Sequence, residues 1–244
     1  MPPFLGQGMC SGIRDAQNLA FKLALVLDGR VGADLLDTYQ LEREPHVRGV
    51  IKKGIELGRL QTTRDPHKAA ERDRRLLAVR AQAGRPEKIR FPGLQDGFFA
   101  GTSGAGRGEL SVQGVVGDGA RRDRLDQVAG PGFQLLVDAA VLDALPADDV
   151  AAAIAAGVRV VALGVPEHRT DDALSVADVD ATYARWFADL GCRAVVVRPD
   201  FYVYGTASDA RTATALTRTL CQALTGGALR DPAYTPSRGG GRGD

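Results

Sequence analysis

The stretch MPPFLGQGMCSGIRDAQNLAFKLA, residues 1–24, decides the reading of this chain. A loop broken by Gly6, Gly8 and Gly12 runs directly into an apolar-faced helix. Ile13, Ala16, Leu19, Ala20, Leu23 and Leu27 recur at helical spacing, and Gly29 stands where a helix would stop. A helix is therefore predicted from about Ser11, as N-cap, to Asp28. Glycines lack a Cβ and let a planar ligand approach the backbone. The first helical turn carries N–H groups without intrahelical partners, and the aligned peptide dipoles place partial positive charge there. Such an end suits an anion or an electron-rich carbonyl. On residue chemistry alone, the stretch is either that kind of binding end or a loop capped onto a structural helix.

Working outward, a second helix is predicted near Asp34, with Leu35, Leu36, Tyr39 and Leu41 on its apolar side. Pro45 predicts a break or kink there and a new helix from about His46. Residues 67–83, rich in Lys, Arg, Glu and Ala, read as one more exposed helix. Between about Ala83 and Gly130 glycine becomes dense and periodicity fades, which predicts a connecting segment with one short strand near Val112–Val116. Strand and helix signals then alternate. Strands are expected at 132–138, 158–163, 193–198 and 201–204, and helices at 148–156, 176–190 and 207–224, a small α/β sandwich. The Gly/Arg-rich tail from Thr235 is expected to be disordered, and its final Arg-Gly-Asp is read as chance. The expected division is 1–83, a linker at 84–130, a second domain at 131–230 and a tail at 231–244.

Composition narrows the partners. The 244 residues are 44% hydrophobic, with 31 basic and 30 acidic side chains, so electrostatics give no case for nucleic acid or an anionic membrane. No apolar run approaches the roughly 20 residues of a membrane-spanning helix, and the start lacks the pattern of a secretory signal. Cys10, Cys192 and Cys221 are isolated, excluding a CxxC redox or zinc site, and the histidines lack ligand spacing, so no metal is expected. A cytoplasmic setting is the default.

Residues 1–24 resemble the second flavin-contacting segment of class A FAD-dependent aromatic monooxygenases, the para-hydroxybenzoate and phenol hydroxylase superfamily. Within it they are most similar to 3-(3-hydroxyphenyl)propionate hydroxylases. The run LLDTYQLEREPH, residues 35–46, is similar to the family in the same order and spacing. The resemblance implies FAD as cofactor, NAD(P)H and O2 as co-substrates, and hydroxylation of a phenolic ring through a flavin C4a-hydroperoxide. It places Pro3 and Phe4 at the flavin edge, and Gly6, Gln7 and Gly8 along the isoalloxazine. It sets the backbone N–H groups of Met9 and Cys10 toward the pyrimidine carbonyl. Cys10 stands where relatives often carry Asn, and is read as a small buried residue. Arg14 and Asp15 are read as helix anchors.

The second half resembles the thioredoxin-like domain of phenol-hydroxylase-type members, on Gly132-Phe-Gln-Leu-Leu and Val197-Arg-Pro-Asp-Phe-Tyr-Val. The fold class implied is α/β, the helical C-terminal part of a FAD-binding domain followed by a thioredoxin-like domain that supports a homodimer. Arg198 and Asp200 are read as an ion pair or a contact to the flavin part. Binding FAD in this family requires a strand followed by GxGxxG, and no such segment occurs in the chain. The Met-Pro-Pro start falls inside the family motif. The expectation is therefore a C-terminal portion, inactive by itself, of a phenol hydroxylase. The alternative is a non-catalytic thioredoxin-like dimerisation or interaction module. The residues select neither a ring position nor NADH over NADPH.

Overall fold

The computed structural model describes residues 3–83, 91–101, 104–117, 119–164 and 173–226. The glycine/arginine tail, with its Arg-Gly-Asp, lies outside the described residues.

A 3-10 turn, Pro3–Leu5, leads into α1, Gly8–Leu27. The helix starts before the predicted Ser11 because the first i→i−4 bond is already made by Ser11 N to Gln7 O, at 2.9 Å. Ser11 is thus a buried helical residue, and Gln7 is the N-cap. A second 3-10 turn, Ala33–Leu36, runs into α2, Asp37–Gln61, followed by α3, Pro66–Ala83. The break predicted at Pro45 does not occur: α2 runs through it. A mid-helix proline costs about 3 kcal/mol. Glu42, Arg43 and His46, on either side of Pro45, are all buried, so tertiary anchoring holds the helix together across the missing hydrogen bond.

The remaining elements are β1, Val115–Gly117; β2, Arg122–Arg124; α4, Leu125–Ala129; β3, Phe133–Asp138; α5, Ala139–Asp143; and α6, Ala147–Ala155. They continue as β4, Val158–Leu163; β5, Leu174–Asp178; α7, Thr182–Leu190; β6, Ala194–Val197; β7, Val203–Ala207; and α8, Ala210–Leu224. The sheet order is β2-β1-β5-β4-β3-β6-β7. β3 and β4 pair in parallel through a helical crossover, whereas β6 and β7 run antiparallel and lead into α8. This βαβ unit joined to a ββα unit is a thioredoxin-like arrangement.

Alternation along the strands sorts the core into two faces. Phe133, Leu135, Val137, Val158, Val160, Ala194 and Val196 lie on one face, under α5, α6 and α8. Leu136, Val161, Val195 and Val197 lie on the other, with Leu125 of α4 and Tyr183 and Phe187 of α7. Phe21 and Leu25 of α1, with Val31 and Leu35, join the first cluster directly. The N-terminal helices therefore share a core with the sheet. Arg30 Nη2, just past α1, also donates to the carbonyl of Ala156.

Two further expectations change. The segment 84–130 is expected as a connection with one strand near Val112–Val116, and that strand is present as β1, Val115–Gly117. The segment's described residues also bury Leu94, Phe98 and Ala100 and contribute β2 and α4. The helix expected from Val176 begins only at Thr182. Leu174–Asp178 is instead a strand, parallel to β4 on one side and antiparallel to β1 on the other. Asp178 at its end accepts from the N–H groups of Thr182 and Ala184, which starts α7.

Candidate functional site

The residues singled out for cofactor binding form one continuous rim at the N-terminal end of α1. Pro3 and Phe4 lie in the first 3-10 turn, and the Phe4 ring packs against α2. A Cβ at Gly58 would come within 2.4 Å of Phe4 Cε2, so only glycine lets that ring seat on the helix backbone. Gly6 has φ +61° and its N–H donates to Pro3 O at 2.9 Å, a tight turn that favours glycine. Gln7 occupies the N-cap without donating or accepting a capping bond to the helix, and its Oε1 instead accepts from Arg14 Nη1 at 3.3 Å. The first turn of this 20-residue helix thus has no side-chain cap and no acidic residue.

Gly6, Gly8 and Gly12 border open space: a Cβ on any of them meets nothing within 4 Å. At Gly8 and Gly12 neither packing within the described residues nor a left-handed backbone calls for glycine. Met9 is 76% exposed. Cys10 is only partly exposed rather than buried as expected. Arg14 and Asp15 behave as anchors: Arg14 reaches Gln7, and Asp15 Oδ1 accepts from Arg43 Nε at 2.7 Å.

Further along α1 and α2 lies a buried polar cluster, most of which the sequence did not reveal. Arg198, in the β6–β7 turn, uses all five of its N–H donors. Nε and Nη2 donate to Asp200 at 2.9 and 2.6 Å, Nη1 and Nη2 to Glu42 at 3.1 and 2.6 Å, and Nη1 to the Phe98 carbonyl at 3.0 Å. Its guanidinium carbon also stands 4.6 Å from the ring centre of Phe99 and 5.2 Å from that of Phe21. Asn18 Nδ2 on α1 donates to both Glu42 and Asp200, at 2.6 and 2.8 Å. Lys22 Nζ is 3.0 Å from Glu42 Oε1, an ion pair rather than an aligned hydrogen bond.

Burial sets the tendencies here, and the ion pairs decide where they end. Burial works to raise the Glu42 carboxyl, yet the Arg198 and Lys22 charges hold it below the usual carboxylate range. Lys22 has the opposite fate. Burial pushes its amine down to about 8, and the repulsion of Arg198 adds to that against the pull of Glu42. Arg198 stays charged, since Asp200 and Glu42 more than offset its burial. One turn along, burial and the Arg43 and Arg14 charges push the His46 imidazole down to about 4.

The pair expected of Arg198 and Asp200 is present, and both residues also reach the N-terminal helices. Asn18, Lys22, Glu42 and Arg43 went unread. A signal existed: Ser11, Asn18, Lys22 and Leu25 form a second stripe at helical spacing, and it is this stripe that α1 buries. Among the described residues no group of side chains has metal-binding spacing, and no helix is long and apolar enough to cross a membrane.

Comparison with known proteins gives matches to both halves. A family model described as a FAD binding domain matches residues 1–53, and one described as the HcaD C-terminal domain matches residues 108–223. A probable NADH-specific resorcinol 4-hydroxylase of Rhodococcus jostii is 43% identical over 236 residues, covering 96% of this chain and 43% of its own length. A 3-(3-hydroxy-phenyl)propionate/3-hydroxycinnamic acid hydroxylase of Burkholderia cenocepacia is 35% identical over 221 residues, covering 83% of this chain and 40% of its own length. The fold is shared with the flavin-dependent monooxygenase PieE, solved with FAD and substrate. That match has a TM-score of 0.59 at 23% identity, over 91% of this chain and 45% of PieE. The chain spans about two-fifths of the length of the curated relatives it matches.

Proposed function

We propose a function from a membership: this chain belongs to the FAD-dependent aromatic hydroxylases, and in such an enzyme it supplies one wall of the flavin site and a thioredoxin-like domain. The reaction we assign to the whole enzyme is hydroxylation of a phenolic small molecule with NAD(P)H and O2. The observation that carries this reading is the uncapped first turn of α1, with Gly6 before it and Gly8 and Gly12 within the helix all facing open space, in the stretch matched by the FAD-binding model. The residues fit a flavin. Gly6, Gln7 and Gly8 leave room for a planar ring, and the Gly8, Met9 and Cys10 amides supply donors and the positive end of a helix dipole. When bound, FAD supplies the redox chemistry by which reducing equivalents from NAD(P)H and O2 become ring hydroxylation. The chain's own part is narrower. Its amides stabilise negative charge on the flavin's pyrimidine side, while Pro3 and the Phe4 ring, seated on Gly58, shield the edge from water.

Residues 1–83 belong, on this reading, to the flavin domain, and 131–230 to the thioredoxin-like domain, which also offers a homodimer contact. The exposed apolar side chains of α1 to α3 then seat the rest of the enzyme.

The test is complementation. The part of the Rhodococcus jostii relative that this chain does not match is co-expressed with the chain. The expected result is a co-purifying complex that holds FAD, oxidises NADH in the presence of resorcinol and releases a hydroxylated product. A complex without flavin would favour the interaction-module reading. No complex at all would contradict the docking of the two parts.

A further inference from the structure

We infer that Arg198 is a positioning residue for the segment of residues 3–10, acting at a distance through the two helices that carry and seat that segment. The inference rests on the flavin-loop reading only for what the loop is for; the mechanical coupling stands on the contacts themselves.

Arg198 has no donor left for the loop or for a ligand, since its five N–H groups all go to Asp200, Glu42 and Phe98. What it does touch is α2, through Glu42, and α1, through the Phe21 ring and through Asn18, which shares both carboxylates. The same β6–β7 turn makes a second contact one turn nearer the loop. Tyr202 OH accepts from Arg43 Nη1 at 3.4 Å, and Arg43 in turn holds Asp15 of α1. Both helices lead to the loop. α1 begins at Gly8, and Arg14 holds Gln7. α2 runs sixteen residues from Glu42 to Gly58, roughly 24 Å at 1.5 Å per residue, and there the Phe4 ring rests on it.

Directionality argues for positioning over simple adhesion. An apolar cluster would hold α1 and α2 against the sheet at no desolvation cost, whereas buried ion pairs often stabilise less than apolar residues of the same volume. What a bidentate guanidinium adds is a fixed plane and fixed angles to each carboxylate. A lysine at 198 would keep the charge but lose the fork.

The experiment is amide hydrogen exchange by mass spectrometry on the full chain, comparing wild type, Arg198→Lys and Asn18→Leu. Val161→Ala, in the opposite core, serves as a control that destabilises the sheet. Peptides covering residues 3–12 are read against peptides covering β3 and β4. Expected is an acceleration of about tenfold in residues 3–12 for Arg198→Lys, smaller for Asn18→Leu, beyond that of Val161→Ala at equal loss of Tm. An unchanged loop in Arg198→Lys, or acceleration that matches the control everywhere, would overturn the inference. FAD is titrated separately into the complemented enzyme. Loss of flavin affinity in Arg198→Lys supports the link to cofactor binding. An intact exchange pattern with no FAD bound even by wild type counts against the flavin-loop reading instead.

Discussion

The N-terminal helices and the C-terminal sheet treat their side chains in opposite ways. The sheet buries alternating apolar residues on both faces and leaves few large ones outside: Leu110, Val179 and Phe201 are the exposed ones among the described residues after 83. Residues 3–83 carry eleven of the fourteen exposed large hydrophobics, among them Met9, Ile13, Leu27 and Leu77, while burying Asn18, Lys22, Glu42, Arg43 and His46. On α1 an apolar stripe faces solvent while Asn18 and Lys22 face the core beside Phe21 and Leu25, which is not the pattern of a surface helix. The difference teaches that α1 has two partners of different kinds. Its polar stripe meets the sheet's Arg198 turn, and its apolar stripe is the surface we assign to the flavin half of a longer enzyme.

The comparison breaks first at its junction. Arg198→Met leaves the buried Glu42 and Asp200 with Lys22 as their one close cation among the described residues, and should cost about 3–5 kcal/mol in urea unfolding followed by the single tryptophan, Trp186. A cost below 1 kcal/mol would mean that the two regions are joined by apolar contacts alone. Next comes a pair of leucines. Leu135→Ala, in the shared core, should cost about 2–5 kcal/mol, and Leu27→Ala, 82% exposed, less than about 0.5 kcal/mol. Equal losses would show that α1 buries its outer stripe in solution.

Acid should find the N-terminal helices before the sheet. The folded imidazole of His46 is pushed from 6.5 to about 4, so the folded state resists its protonation while the unfolded chain accepts it. The stability it contributes is present above about 6.5 and is lost progressively as pH falls toward about 4. A Tm series between pH 7 and 4.5 should fall for wild type and flatten for His46→Gln. Parallel slopes would remove His46 from the account. The smallest effect on stability belongs to Leu27→Lys and Leu77→Lys, which should leave Tm within a degree or two of wild type and reduce self-association in light scattering. Unchanged association would mean that these side chains do not form a sticky face.

How much was legible follows from what kind of signal each element carries. β3 announces itself as a short apolar run and β4 and β6 as valine-rich ones, and α6 and α8 by their apolar spacing. β5 was misread because Leu174–Asp178 runs into a true helix with no glycine or proline between them, and only pairing with β4 and β1 decides its state. Pro45 misled for a similar reason: a local rule yielded to anchors that lie far away in sequence. Around residues 3–10 only the turn at Gly6 was locally legible, since its positive φ favours glycine, whereas Gly8–Cys10, expected as loop, already belong to α1. The Arg198 cluster was only half legible. Arg198 and Asp200 are neighbours in sequence, but Glu42 lies 156 positions from Arg198, and no local pattern pairs them.

The central claim is that the glycines at the start of α1 make room for a flavin and not for this chain's own packing. The most direct measurement is the FAD content of the complemented complex with Gly8→Val against wild type, alongside the Tm of the free chains. The account predicts unchanged Tm and intact association, because a Cβ at Gly8 meets nothing within 4 Å, together with loss of the bound flavin. Equal flavin in both complexes would contradict it.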